Sequence, residues 1–305
     1  MPKKIKIFES KNEEGLIIAF KVQAIYELKD RFPLKVFFEV SGVSKTMYYY
    51  YVNKPNYIEK NKDLIDEIQD IFSTNRECYG YRRITGILKN RGININHKKV
   101  LKLMNIINIH PKIKKRKKYS SYKGDIGKVA DNILNRNFKA DKPNTKWATD
   151  ITEFKINAGK VYLSTIMDLY NDEIIAFTIG LSPSMDLVLK MVDEAFSKVD
   201  NSEELLLHSD QGWQYQSPDY QRKLLNKGVK QSMSRKGNCN DNGKIEGFFG
   251  MLKNEMFYGY EKEFTSLYDL MLKISDYFYF YNNVRIKTGL NNMSPVEFRK
   301  QTFAV

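Results

Sequence analysis

The chain has 305 residues, with 50 Lys+Arg against 36 Asp+Glu, a net charge of +14, and 42% hydrophobic residues that include 20 Tyr and 18 Phe. That length suits two or three domains, and the apolar content is enough for real cores, which argues against whole-chain disorder. No apolar run approaches the ~18–20 residues of a membrane span, and the start Met-Pro-Lys-Lys-Ile-Lys has no apolar signal region behind it. Two distant cysteines, Cys78 and Cys239, with His97, His110 and His208, fit neither a disulfide framework nor a zinc finger.

The charge is unevenly placed. Residues 1–140 hold 30 Lys+Arg and 14 Asp+Glu, a net of +16, while residues 141–305 hold 20 and 22, a net of −2. A Lys-rich host proteome would raise both halves. A basic excess confined to one half is instead the electrostatic footprint of a polyanion partner, with nucleic acid leading.

Residues 16–52 read as helices around a turn. Val36, Phe37, Phe38 and Val40 form an apolar stripe that Ser41-Gly42-Val43 interrupts, and Ser44 is placed to cap a helix from Lys45 to about Val52. This is the helix-turn-helix outline, with Lys45, Thr46 and Tyr48 to Tyr51 on the second helix as groove-reading side chains. An ordinary helical hairpin with a tyrosine-rich core face fits the segment equally well. A second helical unit follows over 57–111. Leu64, Ile65, Ile68, Ile71 and Phe72 share one helix face, Tyr81 to Asn90 forms a helix stopped by Gly92, and Asn96 caps a third from His97. Its polar rim carries Arg82, Arg83, Lys98 and Lys99, a cluster suited to phosphate contacts. Lys112 to Lys118 (KIKKRKK, including Lys115 and Arg116) then opens a stretch with the composition of a linker, which counterion release would order on a phosphate backbone.

From Trp147 the period becomes strand-like. Trp147 to Phe154, Lys160 to Leu169 and Glu173 to Ile179 form a three-strand meander. A helix from Met185 to Val199, a strand from Leu205 to His208, a helix from Ser217-Pro218-Asp219 to Asn226, and an extended piece over 229–233 follow. The polar stretch Ser234 to Gly243 is expected to be a loop that is mobile without DNA. A long helix then runs from near Asp241 through Lys253. This order describes an α/β sheet of the ribonuclease-H-like kind.

Phosphodiester chemistry on DNA is served by carboxylates that hold Mg²⁺, which prefers oxygen ligands. Three Asp–Glu pairs share one spacing: Asp168/Glu204, Asp210/Glu246 and Asp219/Glu255. Spacing therefore does not choose between them, but context does. Asp219 reads as a first-turn helix acid and Glu204 lies in a polar loop. Asp210 directly follows a strand at its carboxyl end, where α/β sheets place their sites. Asp150 lies inside the first strand, which can neighbour that one, and Glu246 lies in a helix able to cross both.

The segments Thr149 to Phe154 (TDITEF), His208 to Tyr215 (HSDQGWQY) and Ser232 to Phe249 (SMSRKGNCNDNGKIEGFF) resemble the three blocks of the DDE integrase core. More closely, they resemble the OrfB-type transposases of bacterial insertion sequences. The resemblance extends to Tyr79 to Ile84, Gly92 to Lys102, Tyr281 to Arg285 and Met293-Ser294-Pro295, and so spans roughly residues 30–300. It implies a retroviral-integrase-like, ribonuclease-H-like α/β catalytic core preceded by an all-α helix-turn-helix DNA-binding region. It implies that Asp150, Asp210 and Glu246 bind two Mg²⁺ ions, with Mn²⁺ as a substitute. Lys253, seven residues after Glu246 on the same helix face, matches a basic position that contacts DNA near the site. His208, Trp213 and Tyr215 flank Asp210 without a catalytic role.

The implied organisation is a helix-turn-helix segment over 1–56, a second helical DNA-binding domain over 57–111, a basic linker over 112–140 and the catalytic core with C-terminal helices over 141–305. The implied function is a transposase that cleaves a strand at the element ends and joins the freed 3′-hydroxyl to target DNA, after recognising terminal inverted repeats. Double-stranded DNA, further copies of the chain and an upstream-frame transposase protein are the expected partners. A bacterial cytoplasmic, nucleoid-associated location follows, with no membrane partner. Gln211, Trp213, Gly243 and Gly247 depart from the usual pattern of relatives without removing a ligand. Two other readings stand beside this one: a DNA-binding regulator with an inactive core, and a cellular nuclease on the same fold.

Overall fold

The computed structural model describes residues 13–111, 129–199, 202 and 204–303. These divide into two compact units, one drawn from residues 13–71 and 102–109, the other from the described residues of 72–101 and 110–303.

In the first unit, α1 (Glu13–Leu28), α2 (Leu34–Ser41) and α3 (Lys45–Glu59) pack around Val22, Ile25, Val43 and Tyr48. Gly42 ends α2 in the left-handed region at φ 71°, where a side chain would be strained, and its N–H bonds Phe38 O. Ser44 Oγ accepts the Met47 N–H at 3.2 Å, starting α3. Two helices joined at the Gly42 turn are therefore present, as both the helix-turn-helix and the helical-hairpin readings expect, although α3 continues to Glu59, past the expected stop near Val52. α4 (Lys62–Thr74) buries Ile65, Ile68, Ile71 and Phe72, the stripe visible in its sequence.

In the second unit, α5 (Tyr81–Asn90) buries Ile84, Thr85, Gly86 and Leu88. A side chain on Gly86 would meet Asn292 Oδ1 at 2.6 Å, so glycine lets α5 sit against the 288–293 turn, where Asn90 Nδ2 donates to Asn292 O at 3.0 Å. α6 (His97–Ile106) starts at Asn96, whose Oδ1 accepts the Lys98 N–H at 2.9 Å.

The sheet contains β1 (Lys146–Ile156), β2 (Gly159–Asp168), β3 (Ile174–Gly180), β4 (Leu206–Ser209) and β5 (Lys230–Met233), in the order β3-β2-β1-β4-β5. The meander β1–β2–β3 is antiparallel, and β4 and β5 run parallel to β1. Between them lie α7 (Met185–Phe196), α8 (Trp213–Gln216) and α9 (Pro218–Asn226); α10 (Gly243–Met256), α11 (Leu267–Asn283) and α12 (Pro295–Thr302) follow. Side chains alternate across β1. Thr149 faces α7 through Met191, whereas Phe154 faces α10, with its ring 5.1 Å from that of Phe257. Phe177 of β3 stacks on Phe278 of α11 at 4.0 Å. Helices thus cover parts of both faces of the sheet. Residues 129–140, read from composition as the end of a linker, instead run along β5: Met233 N donates to Asp131 O at 3.3 Å, and Leu134 N to Ser232 Oγ at 3.1 Å.

Candidate active site

The register of β1 and β4 pairs Trp147 with Leu207 and Ala148 with His208. Two residues further along each chain come Asp150 and Asp210. Parallel strands lie about 4.8 Å apart, so the sheet brings the two aspartates to the same level at the carboxyl end of β4. Asp150 also shares the face of Phe154, four residues on, and so lies on the α10 side.

α10 supplies the third carboxylate. Ile245, Phe248, Phe249, Leu252 and Met256 bury one stripe of this helix. Glu246 lies in its first turn, off that stripe, and is the most exposed of the three. Lys253, two turns along, reaches back to β1 with its Nζ 5.2 Å from the centre of the Phe154 ring.

The electrostatics tie these groups into one site. Burial pushes the Asp150 carboxyl well above the usual range, and the negative charges of Asp210 and Glu246 push the same way. Burial also raises Asp210, partly offset by the Gly212 N–H. Burial and the neighbouring Asp210 raise Glu246. Lys253 is pulled below the usual lysine range by burial, and Glu153 and Asp150 counter this in part. Three carboxylates that disfavour each other's ionisation, with one partly buried lysine beside them, form a site short of positive charge.

The donor set suits a hard divalent cation. Asp150 Oδ1 accepts the Ile151 N–H at 2.7 Å, and Asp210 Oδ1 accepts the Gly212 N–H at 2.8 Å. Among the described residues the second oxygen of each has no hydrogen bond or ion pair, and neither does Glu246. Among the described residues, no three acidic, histidine or cysteine side chains already enclose a single metal-sized point. The carboxylates share a site without closing a cage.

Of the three flanking residues, His208 and Tyr215 are buried in the fold. His208 is fully buried, with its ring nitrogens 2.8 and 3.2 Å from the Ser232 and Ser234 hydroxyls, and burial lowers its pKa to about 4. Tyr215 belongs to the core and Trp213 is exposed. The rival acids of the spacing argument are accounted for as well. Asp168 is buried and accepts the Asn144 and Tyr170 N–H groups, and Glu255 is bound to Arg285.

The basic residues separate into three groups. Lys45 and Thr46 are exposed at the start of α3, and Arg82, Lys98 and Lys99 are exposed on α5 and α6. Two residues differ from expectation. Tyr48 is 2% exposed, with its ring 5.5 Å from that of Phe38, so it is a core residue and presents nothing to a groove. Arg83 turns inward toward Glu255 at 3.9 Å and over the Tyr79 ring, leaving Arg82, Lys98 and Lys99 on that rim. Lys115 and Arg116 lie outside the described residues.

The expected Ser234–Gly243 loop is anchored at both ends. Ser234 N donates to Ser209 O at 2.9 Å, Asp241 is fully buried, and Asn242 Nδ2 donates to Thr149 O at 3.3 Å. Asp241 and Asn242 went unnoticed in the sequence because a polar, glycine-bearing stretch carries no burial signal.

Residues 140–239 and 246–303 match the integrase core domain family, and residues 59–117 match the HTH-like domain family. Over 282 residues the chain is 42% identical to InsK of Escherichia coli K12, assigned as the transposase of insertion sequence element IS150; this covers 92% of the chain and 99% of InsK. It is 47% identical over 210 residues to an uncharacterized transposase-like protein of Haemophilus influenzae, covering 69% of the chain and 95% of that protein. Among solved structures, the magnesium complex of the HTLV-2 integrase catalytic core domain aligns with 52% of the chain and 98% of that domain, at 18% identity and a TM-score of 0.42.

Proposed function

This chain belongs to the insertion-sequence transposases with an integrase-type catalytic core, and from that premise we propose that it cuts one DNA strand at each end of its element and joins the freed 3′-hydroxyl to target DNA. The observation that carries the reading is the convergence of Asp150, Asp210 and Glu246, from two adjacent strands and a crossing helix, at a site short of positive charge.

Asp150, Asp210 and Glu246 would hold two Mg²⁺ ions, with Mn²⁺ as a substitute. When bound, such ions neutralise charge on the attacking and leaving oxygens of an in-line displacement. The chain's residues position the reactants. In the cleavage step, water attacks the phosphodiester at the element end, the P–O3′ bond breaks, and a 3′-hydroxyl and a 5′-phosphate result. In the joining step, that 3′-hydroxyl attacks a target phosphodiester, a new P–O3′ bond forms, and the target's own 3′-oxygen leaves. Neither step needs a covalent protein–DNA bond, so neither needs a tyrosine or serine nucleophile. Lys253 would contact DNA beside the carboxylates.

The basic half would recognise the terminal inverted repeats through Lys45 and Thr46 on α3, through Arg82, Lys98 and Lys99, and through the segment carrying Lys115 and Arg116. A bacterial cytoplasmic setting on the nucleoid fits this role, and among the described residues no helix is long and apolar enough to cross a membrane. Two element ends must be joined in one event, which calls for further copies of the chain on the DNA, and an upstream-frame transposase protein is an expected partner.

The test incubates purified protein with oligonucleotide ends taken from the DNA flanking the coding sequence, in Mg²⁺ or Mn²⁺. Nicked and joined products from the wild type but not from Glu246→Gln support the reading. Equal joining by Glu246→Gln overturns it.

A further inference from the structure

A second charged cluster stands next to the carboxylates. Asp241 is fully buried in the turn that precedes α10. Its Oδ1 accepts Arg136 Nε at 2.6 Å and Arg235 Nη2 at 2.8 Å. Its Oδ2 accepts Arg235 Nε at 2.8 Å, the Arg235 backbone N–H at 3.1 Å and Asn132 Nδ2 at 2.9 Å. One carboxylate therefore holds two guanidinium groups and leaves the cluster with an excess positive charge.

The two arginine side chains remain 45% and 50% exposed. A guanidinium has five N–H donors. Among the described residues, Arg136 uses only its Nε, and Arg235 uses Nε and Nη2. Among the described residues the remaining donors have no partner. Bonds to one buried carboxylate fix both guanidiniums in orientation. The backbone also gives something up for this arrangement. Arg136 sits at φ 61° after Asn135 at φ 40°, a left-handed pair of non-glycine residues held by the Asn135 N–H to Asn132 Oδ1 bond at 2.9 Å.

The cluster borders the candidate active site. Ser234, which precedes Arg235, bonds Ser209 through its N–H and accepts Gln211 Nε2 at 3.0 Å, so it contacts the residues on either side of Asp210. Asn242, which follows Asp241, donates to Thr149 O, next to Asp150.

We propose that Arg136 and Arg235, anchored by Asp241, form a two-arginine clamp for a phosphate of the DNA strand that enters the carboxylate site. Paired, pre-oriented guanidiniums suit phosphate oxygens better than mobile lysines do. The inference rests on the transposase reading, and it is tested by binding so that the two fail separately.

The full chain is titrated by fluorescence anisotropy against a labelled duplex of arbitrary sequence over a series of salt concentrations. Each lost phosphate contact lowers the slope of log affinity against log salt by about 0.9. The Arg136→Ala/Arg235→Ala variant is expected to lose roughly 0.9 of slope, one phosphate by that rule, whereas Lys190→Ala, on the exposed side of α7, keeps the wild-type slope. A folded double variant with the wild-type slope overturns the clamp. A second measurement needs no variant: phenylglyoxal modification of wild-type protein, mapped by mass spectrometry with and without the duplex. Protection of Arg136 and Arg235, with Arg222 unprotected on α9, is expected. Equal modification of Arg136 and Arg235 with and without DNA overturns the clamp. Wild type that binds no DNA in either assay overturns the transposase reading instead.

Discussion

Asp150 and Asp210 each stand two residues beyond a register pair, Ala148 on β1 and His208 on β4. Their juxtaposition is therefore a property of the sheet, set by backbone hydrogen bonds before any metal or DNA is present. The cost is electrostatic. Buried carboxylates side by side resist ionisation, and a divalent cation relieves that resistance.

A first prediction concerns stability and metal. Asp210 has a folded pKa raised above its unfolded value. Its ionisation therefore favours the unfolded chain, and stability falls as pH rises out of the usual carboxylate range. At neutral pH without metal, Asp210→Asn should be more stable than wild type in urea unfolding. Mg²⁺ should stabilise the wild type, by about 2.7 kcal/mol at a hundred times its dissociation constant, and should leave Asp210→Asn unmoved. Equal Mg²⁺ stabilisation of both proteins would show that Asp210 is not a ligand.

Activity should follow the same residues. Losing an outer-sphere partner of a metal site typically costs about 10–100-fold, so Asp150→Asn, Asp210→Asn and Glu246→Gln should each lose at least about 100-fold in nicking. Binding to arbitrary duplex DNA should change little. A variant that loses binding as well would show that the carboxylates support the DNA-binding surface.

Glu255 and Arg285 form the buried ion pair of the second unit. Arg285 is 1% exposed and donates to Glu255 through Nε at 2.9 Å and Nη2 at 2.5 Å; Tyr277 adds its hydroxyl at 2.8 Å. Burial alone would raise the Glu255 carboxyl, but Arg285 holds it below the usual range. Removing Arg285 leaves the buried Glu255 with only Tyr277 and the more distant Arg83, so Arg285→Met should cost up to about 3–5 kcal/mol. Adding Glu255→Gln to Arg285→Met should recover part of that loss. A cycle with no coupling between the two sites would contradict the pairing.

His208 should stay neutral far below the ordinary range. Its pKa is about 4 in the fold, lowered by burial, against about 6.5 in an unfolded chain. Its contribution to stability is complete above pH 6.5 and is lost as pH falls toward 4. With three histidines in the chain, the imidazole signals can be assigned by NMR. One ring should show no titration between pH 7.5 and 5 and should vanish in His208→Gln. Titration of that ring near pH 6.5 would contradict its burial.

Much of this was legible beforehand. The helix boundaries at Gly42, Ser44, Asn96 and Ser217 follow from capping chemistry, and the caps are present. The meander of β1, β2 and β3 could be anticipated because the turns between them are short and polar. Other features were hidden for physical reasons. Tyr48 is open in sequence to both a groove-reading and a core-face role, and only the packing against Phe38 decides for the core; Arg83 lies on a polar rim in sequence, but tertiary packing turns it inward, which local pattern does not encode. Residues 129–140 have a linker's composition, yet a few bonds to β5 fix them. Asp241 looked like one more loop residue, because a buried acid declares itself only through the arginines that three-dimensional folding brings to it.

The proposed joining step is a single displacement at phosphorus, with the 3′-hydroxyl as nucleophile. The most direct measurement joins a donor end to a target strand bearing one phosphorothioate of known configuration at the joining site, and reads the configuration of the product. Direct in-line attack predicts inversion. Retention would require two successive displacements through a covalent protein–DNA intermediate, and would contradict a mechanism carried by Asp150, Asp210 and Glu246 alone.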